Sequence, residues 1–323
     1  MFKAISLPLI PCVLLGLGLT AAPAQAQLAR TFVSAAHGDN NNNCDRPTPC
    51  RTFQTAAAKT IGNGEIAVLD PGDYGSVAIT KAISIVNDGV GEAGMQLSGD
   101  VTGITVNAGP NDSVSLRGLT IKGVGSGHRN GILFVSGMSL RVENCVIRNL
   151  PFNFNGTSSG IGIWFTPNGP SQLSVSNTLV ADSQQGIVIA PTGAISVQAT
   201  LNRIQLHNDD VGLSVGPSSA VTVSDSIVDG SSQNGIAVSA PAGAITSLTV
   251  VRSVIANSDV ALAADGANAK FLIGQSTLAG NVSNWQTTNG GILQSTGDNA
   301  VTGSQSPLPL IPTQTTAVNV GTP

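Results

Sequence analysis

Charge is scarce in this chain. Asp, Glu, Lys and Arg make up 10% of its 323 residues, against roughly 25% in an average soluble domain. Those side chains coat helix surfaces, so a mostly helical protein is hard to write with so few. Aromatic residues are rarer still, at 3%, with one Tyr and two Trp. No cationic excess exists either: 14 Lys and Arg stand against 18 Asp and Glu, net −4. That leaves no electrostatic footprint for nucleic acid. A mean hydropathy of +0.23 excludes a disordered polyelectrolyte. Beyond the first 26 residues no run approaches the ~18 consecutive apolar residues of a membrane span. Glycine, by contrast, is abundant, at 38 residues. It comes with Ser, Thr, Asn, Val and Ile, the residues of strands and turns.

The first 26 residues read as an export leader. Lys3 supplies one positive charge, an apolar stretch follows, and Ala24-Gln25-Ala26 is a small-x-small cleavage pattern. A membrane anchor is the alternative. The stretch is short and is broken by Pro8 and Pro11, which favours a cleaved signal peptide. Losing Lys3 leaves 13 basic and 18 acidic residues, net −5. The expected product is exported, periplasmic or extracellular, with no membrane span after signal removal. Cys44 and Cys50 flank a loop containing Pro47 and Pro49, a spacing that suits a small disulfide in an oxidising compartment. Zinc is the rival reading; it wants about four ligands, and no local His or Cys completes the set. Cys145 sits in a strand pattern as a small hydrophobe.

A short phrase recurs along the chain: a polar or small residue, strand formers, then Asn, Asp or Gly. Asn144-Cys145-Val146-Ile147-Arg148-Asn149 and Asp225-Ser226-Ile227-Val228-Asp229-Gly230 are two instances. The equivalent aliphatic positions are 121, 147, 180, 206, 228, 255 and 278, with steps of 22 to 33 residues. A second column, beginning with Gly, follows: Gly131-Ile132, Gly160-Ile161, Gly186-Ile187, Gly212-Leu213 and Gly235-Ile236. A third strand candidate opens each cycle, as in Leu140-Arg141-Val142 and Leu248-Thr249-Val250. Three short strands per cycle cannot close a core alone. If the chain coils, each strand lies beside its counterpart one turn later, about 4.8 Å away. Inward side chains then stack into one apolar cylinder, and the Asn, Asp and Gly form its corners. The longest step carries an insertion over residues 150–159. An antiparallel sandwich or an up-and-down barrel would show turn signals every ~8–12 residues. Neither needs the fixed interval between columns.

With these phrases in place, the chain resembles the right-handed parallel β-helix superfamily, the pectin-lyase-like fold, over roughly Phe32 to Leu293. The expected class is all-β, a right-handed parallel β-helix solenoid with a short N-terminal capping helix. Pro49 to Ala58 is similar to the amphipathic helix that covers the first turn in such proteins, and Glu65 to Tyr74 to a first rung. The expected layout is a signal peptide over 1–26, a cap with the Cys44–Cys50 loop over 27–60, the β-helix over 61–300 and a proline-containing tail over 301–323.

The resemblance implies where chemistry would sit. Enzymatic relatives present acids on one strand face of adjacent turns; lyases add a calcium-holding cluster and a base. His207-Asn208-Asp209-Asp210 is the best local candidate, with Asp182 one turn earlier and Asp229 one turn later. Asp182, His207, Asp209, Asp210 and Asp229 are therefore the candidate catalytic set. Paired carboxylates can split into acid and base or hold Ca²⁺. The plain alternative is that corner Asp and Asn accept backbone hydrogen bonds. His128-Arg129, beside Lys122, is a second corner able to grip a uronate. Aromatics gather only at Trp164 and Phe165 with Phe152 and Phe154, the preferred ligand patch; packing on the outside of the coil is the other reading.

Two functions follow. The first is an exported surface, matrix or adhesion-type module that binds a polysaccharide or cell-surface glycan without a complete catalytic set and needs no cofactor. The second is a lyase, hydrolase or epimerase acting on uronate polymers, for which alone Ca²⁺ is expected. A hydrolase's aspartate arrangement, His-Gly and Arg-x-Lys elements are not matched in order.

Overall fold

All strand pairs in the computed structural model run parallel. The structure describes residues 27–125, 127, 129–150, 160–193 and 195–303. Strands recur in the order sheet A, sheet B, sheet C, forming sheets of eleven, ten and nine strands respectively. This is an all-β, right-handed parallel β-helix, the hand expected when a right-twisted strand feeds a parallel crossover. The expected leader, and the tail beyond residue 303, lie outside the described residues.

The aliphatic column stacks as the repeats demand. Ile121 pairs with Ile147, then Val180, Leu206, Val228, Ile255 and Leu278 in unbroken register. Met95 and Val301 extend it at the two ends. All the interior members from Ile121 to Leu278 are at most 2% exposed. In the second column Ile132 pairs with Ile163, so Gly162, rather than Gly160, stands opposite Gly131. The insertion before it hides the correct glycine. In the third, Ala199–Leu201 supplies the missing rung between Leu173–Val175 and Val221–Val223.

Each coil turns two corners flanking sheet B on left-handed residues. From Ile147 onward the residue two after each aliphatic has positive φ: Asn149, Asp182, Asn208, Gly230, Asn257 and Gly280. The residue three before it does too: Gly118, Asn144, Asn177, Arg203, Asp225, Arg252 and Gln275. The next side chain then turns inward and builds a hydroxyl ladder. Ser253 Oγ accepts from Ser226 N at 3.2 Å and donates to Val251 O at 2.9 Å. Ser276 Oγ accepts from Ser253 N at 3.1 Å. Ser253→Ala removes the hydroxyl without adding bulk and strands the buried Ser226 amide. We expect a loss of about 1–3 kcal/mol by chemical denaturation; unchanged stability would mean the ladder is not needed.

The N-terminal end is closed by the helix Phe53–Lys59, whose cap Thr52 accepts from Thr55 N. Its buried face is Phe53, Ala56 and Ala57, with Phe53 against Tyr74 at 4.9 Å between ring centres. This covers core that an open coil would expose. Cys44 and Cys50 form a disulfide in the adjoining loop.

Candidate functional site

Sheet B is the narrow side of the coil, and in its later coils the strands Gln205–His207, Ile227–Asp229, Val254–Ala256 and Thr277–Ala279 are three residues long between two left-handed corners. Along its outer face one column reads Lys122, Arg148, Ala181, His207, Asp229 and Ala256 in register. Lys122 and Arg148 are like charges on adjacent coils, an arrangement that costs stability. Neither has a carboxylate partner among the described residues. His207 Nδ1 lies 3.7 Å from Asp229 Oδ2. Asn257 Nδ2 donates to Asp229 Oδ1 at 2.7 Å, which fixes the carboxylate and leaves its other oxygen toward His207. Ala181 leaves room between His207 and Arg148, two coils apart.

The other candidate acids are held by ladder partners. Asp182 Oδ1 accepts from Asn208 Nδ2 at 3.4 Å. Asp210 Oδ1 accepts from Ser232 Oγ at 2.8 Å. Asp209 leaves the group altogether: it is 1% exposed and sits inside the corner between sheets B and C, equivalent to Ser183, Ser231, Ser258 and Asn281. Its Oδ1 accepts from Ser183 N at 2.9 Å, and its Oδ2 has no partner. Burial, reinforced by Asp182 and Asp210 nearby, pushes its carboxyl up to about 8. The left-handed Asn208 is the cause, since it turns the following side chain inward. Asp182, His207 and Asp229 thus share the outer face while Asp209 does not. Among the described residues no three of His, Cys, Asp and Glu converge as a cation site. The acids do not fit Ca²⁺, which wants six to eight oxygens.

The aromatic candidates divide as well. Trp164 lies on the outer face of sheet C, in register with Leu133 and Val188. Phe165 is fully buried and stacks on Phe134 with ring centres 4.7 Å apart. It belongs to the core, because neighbours in a strand face opposite ways. Phe152 and Phe154 lie outside the described residues, as does His128. Arg129 is 2% exposed, so its guanidinium is turned inside rather than offered to a ligand.

Sequence reasoning missed the other edge of sheet B. There an open groove of about 490 Å³ runs along the coil axis. Its rim is the first left-handed column, Asn144, Asn177, Arg203 and Asp225. Arg203 carries no turn signature, and only its position three residues before Leu206 could have marked it.

No curated protein matches the sequence. The fold is similar to a pectate lyase, Pel9A, at 14% identity and TM-score 0.55, covering 84% of this chain and 81% of that one. It is also similar to the GH136 lacto-N-biosidase of Eubacterium ramulus, at 10% identity and TM-score 0.46, covering 84% and 68%. The A-module of the mannuronan C-5 epimerase AlgE4 of Azotobacter vinelandii follows at 12% identity and TM-score 0.40, covering 78% and 90%. The model of the right-handed β-helix region matches residues 102–305. With that match over most of the coil and every repeat column in register, the chain belongs to the right-handed β-helix family.

Proposed function

We propose that this is an exported polysaccharide-binding solenoid that engages a glycan along the outer face of sheet B. The observation that carries this reading is the in-register column Lys122, Arg148, Ala181, His207 and Asp229, with the groove beside it. Successive coils offer hydrogen-bonding groups about 4.8 Å apart, the scale on which a sugar chain repeats. Cations without carboxylate partners suit an anionic or neutral polymer. The leader pattern and the Cys44–Cys50 disulfide support export. The dispersal of the acids weighs against a multi-aspartate catalytic centre.

One observation favours a second, enzymatic reading. Asn257 fixes Asp229, whose other oxygen faces the His207 imidazole at 3.7 Å, and Arg148 stands two coils along the same column to hold a carboxylate. In that arrangement His207 takes the proton next to a uronate carboxylate, the glycosidic oxygen leaves with the electron pair, and an unsaturated sugar remains. Fold likeness to Pel9A supports the substrate class only by analogy.

A glycan panel and a lyase assay separate the two. The binding reading expects retention on at least one polysaccharide, weakened about tenfold or more by Arg148→Ala, and no unsaturated product from uronate polymers. Product formation abolished by His207→Ala would replace it with the enzymatic reading. A blank panel together with no product would remove both.

A further inference from the structure

The groove between sheets A and B repeats two chemistries once per coil. Its rim offers a carboxamide or charged group on each of four coils: Asn144, Asn177, Arg203 and Asp225. Its floor is the outer residue two positions on: Val146, Leu179, Gln205 and Ile227. Three of those four are aliphatic, and Ile227 is 40% exposed. Asp225 is held in a fork by Arg252, at 2.8 Å from Nε and 3.0 Å from Nη2. Arg203 has no such carboxylate among the described residues, so the free charge of the groove is positive.

We infer that this groove binds a linear polymer of N-acetylated hexosamine, one sugar per coil, lying parallel to the coil axis. The inference rests on the polysaccharide-binding reading and names the chemical class. An acetamido group has two parts, an amide and a methyl. The rim Asn side chains donate to its carbonyl and accept from its N–H. The methyl lies on Val146, Leu179 or Ile227, with Arg203 donating to ring or acetamido oxygens. A pyranose chain advances by about one coil spacing per unit, and because a β-1,4 chain turns over at each unit, alternate acetamido groups face the groove at the two-coil spacing of Leu179 and Ile227. An extended peptide advances by about 3.3 Å per residue and falls out of step. The floor has no aromatic ring for a bare pyranose face to stack on. A deacetylated chain brings ammonium groups toward Arg203 and lacks the methyl.

The test is titration of the full chain with tetra-N-acetylchitotetraose, its fully deacetylated form and cellotetraose. The acetylated tetramer is expected to bind at least about tenfold more tightly than either of the others. The double substitution Leu179→Ser with Ile227→Ser, both on the outer face, should erase that preference. Arg203→Asn, which keeps a residue tolerant of the left-handed corner, should weaken binding without touching the floor. Thermal unfolding of each variant verifies the fold. Equal binding of the acetylated tetramer and cellotetraose overturns the inference, as does a preference that survives the double substitution. Binding of other glycans that responds only to Arg148→Ala also overturns it, and leaves the polysaccharide reading standing. No binding to any glycan overturns both.

Discussion

Asp209→Asn is expected to stabilise the protein at neutral pH, and the gain should grow as pH rises from about 4 to about 8. The carboxyl is buried in the corner between sheets B and C, and its folded pKa is pushed up to about 8, against about 3.9 in an unfolded chain. An acid with a raised folded pKa favours folding below its unfolded value. That contribution is lost as pH climbs, because the unfolded chain sheds the proton first. At 1.36 kcal/mol per pH unit the loss reaches up to roughly 4 kcal/mol by pH 7. Asn carries no charge to bury. Its Oδ1 can keep the bond from Ser183 N, and its amide gives the corner a donor. Asn281 already does this at the equivalent position three coils on: it accepts from Ser258 N at 2.9 Å and donates to Ile255 O at 3.0 Å. Urea unfolding of both proteins at pH 4, 6 and 8 checks the slope. Parallel curves would show that Asp209 ionises normally and that its burial is relieved in solution.

The same residue shows where sequence reading ran out. The aliphatic column was legible because coil stacking forces like residues to recur, and Ile121 through Leu278 line up without exception. His207-Asn208-Asp209-Asp210 looks like one polar cluster in one dimension. A left-handed residue in its middle sends His207 and Asp209 to opposite sides of the wall. Phe165 is the converse case. Strand alternation alone separates it from Trp164, but an aromatic cluster attracts attention before its phase is considered. The first left-handed column was illegible because Arg203, Arg252 and Gln275 occupy positions where Asn or Gly would have announced a turn. Their corners are set by the hydroxyl ladder and the register of neighbouring coils, which act on them from outside their own sequence.

Gly212→Val should be among the most damaging single changes, and its cause lies in that same coil-on-coil register. A Cβ at this position would come within 2.7 Å of the Gly235 carbonyl oxygen and 2.7 Å of Val228 Cγ1. Neither can retreat alone. Gly235 belongs to the strand paired with that of Gly212, and Val228 is locked between Leu206 and Ile255 in the aliphatic stack. Relief therefore means parting two coils, which breaks ladder hydrogen bonds in sheets B and C together. The expected cost is about 3 kcal/mol or more, the upper range for overpacking a rigid core. Ala261 supplies the control, because it occupies the equivalent position next to Leu262 and its Cβ is already accommodated. Ala261→Gly should cost only about 0.5–1 kcal/mol, the backbone-entropy difference, with a small packing loss added. Denaturation midpoints with unchanged slopes measure both. Similar costs at 212 and 261 would mean that the coils part easily, and that the glycine column reflects composition rather than contact.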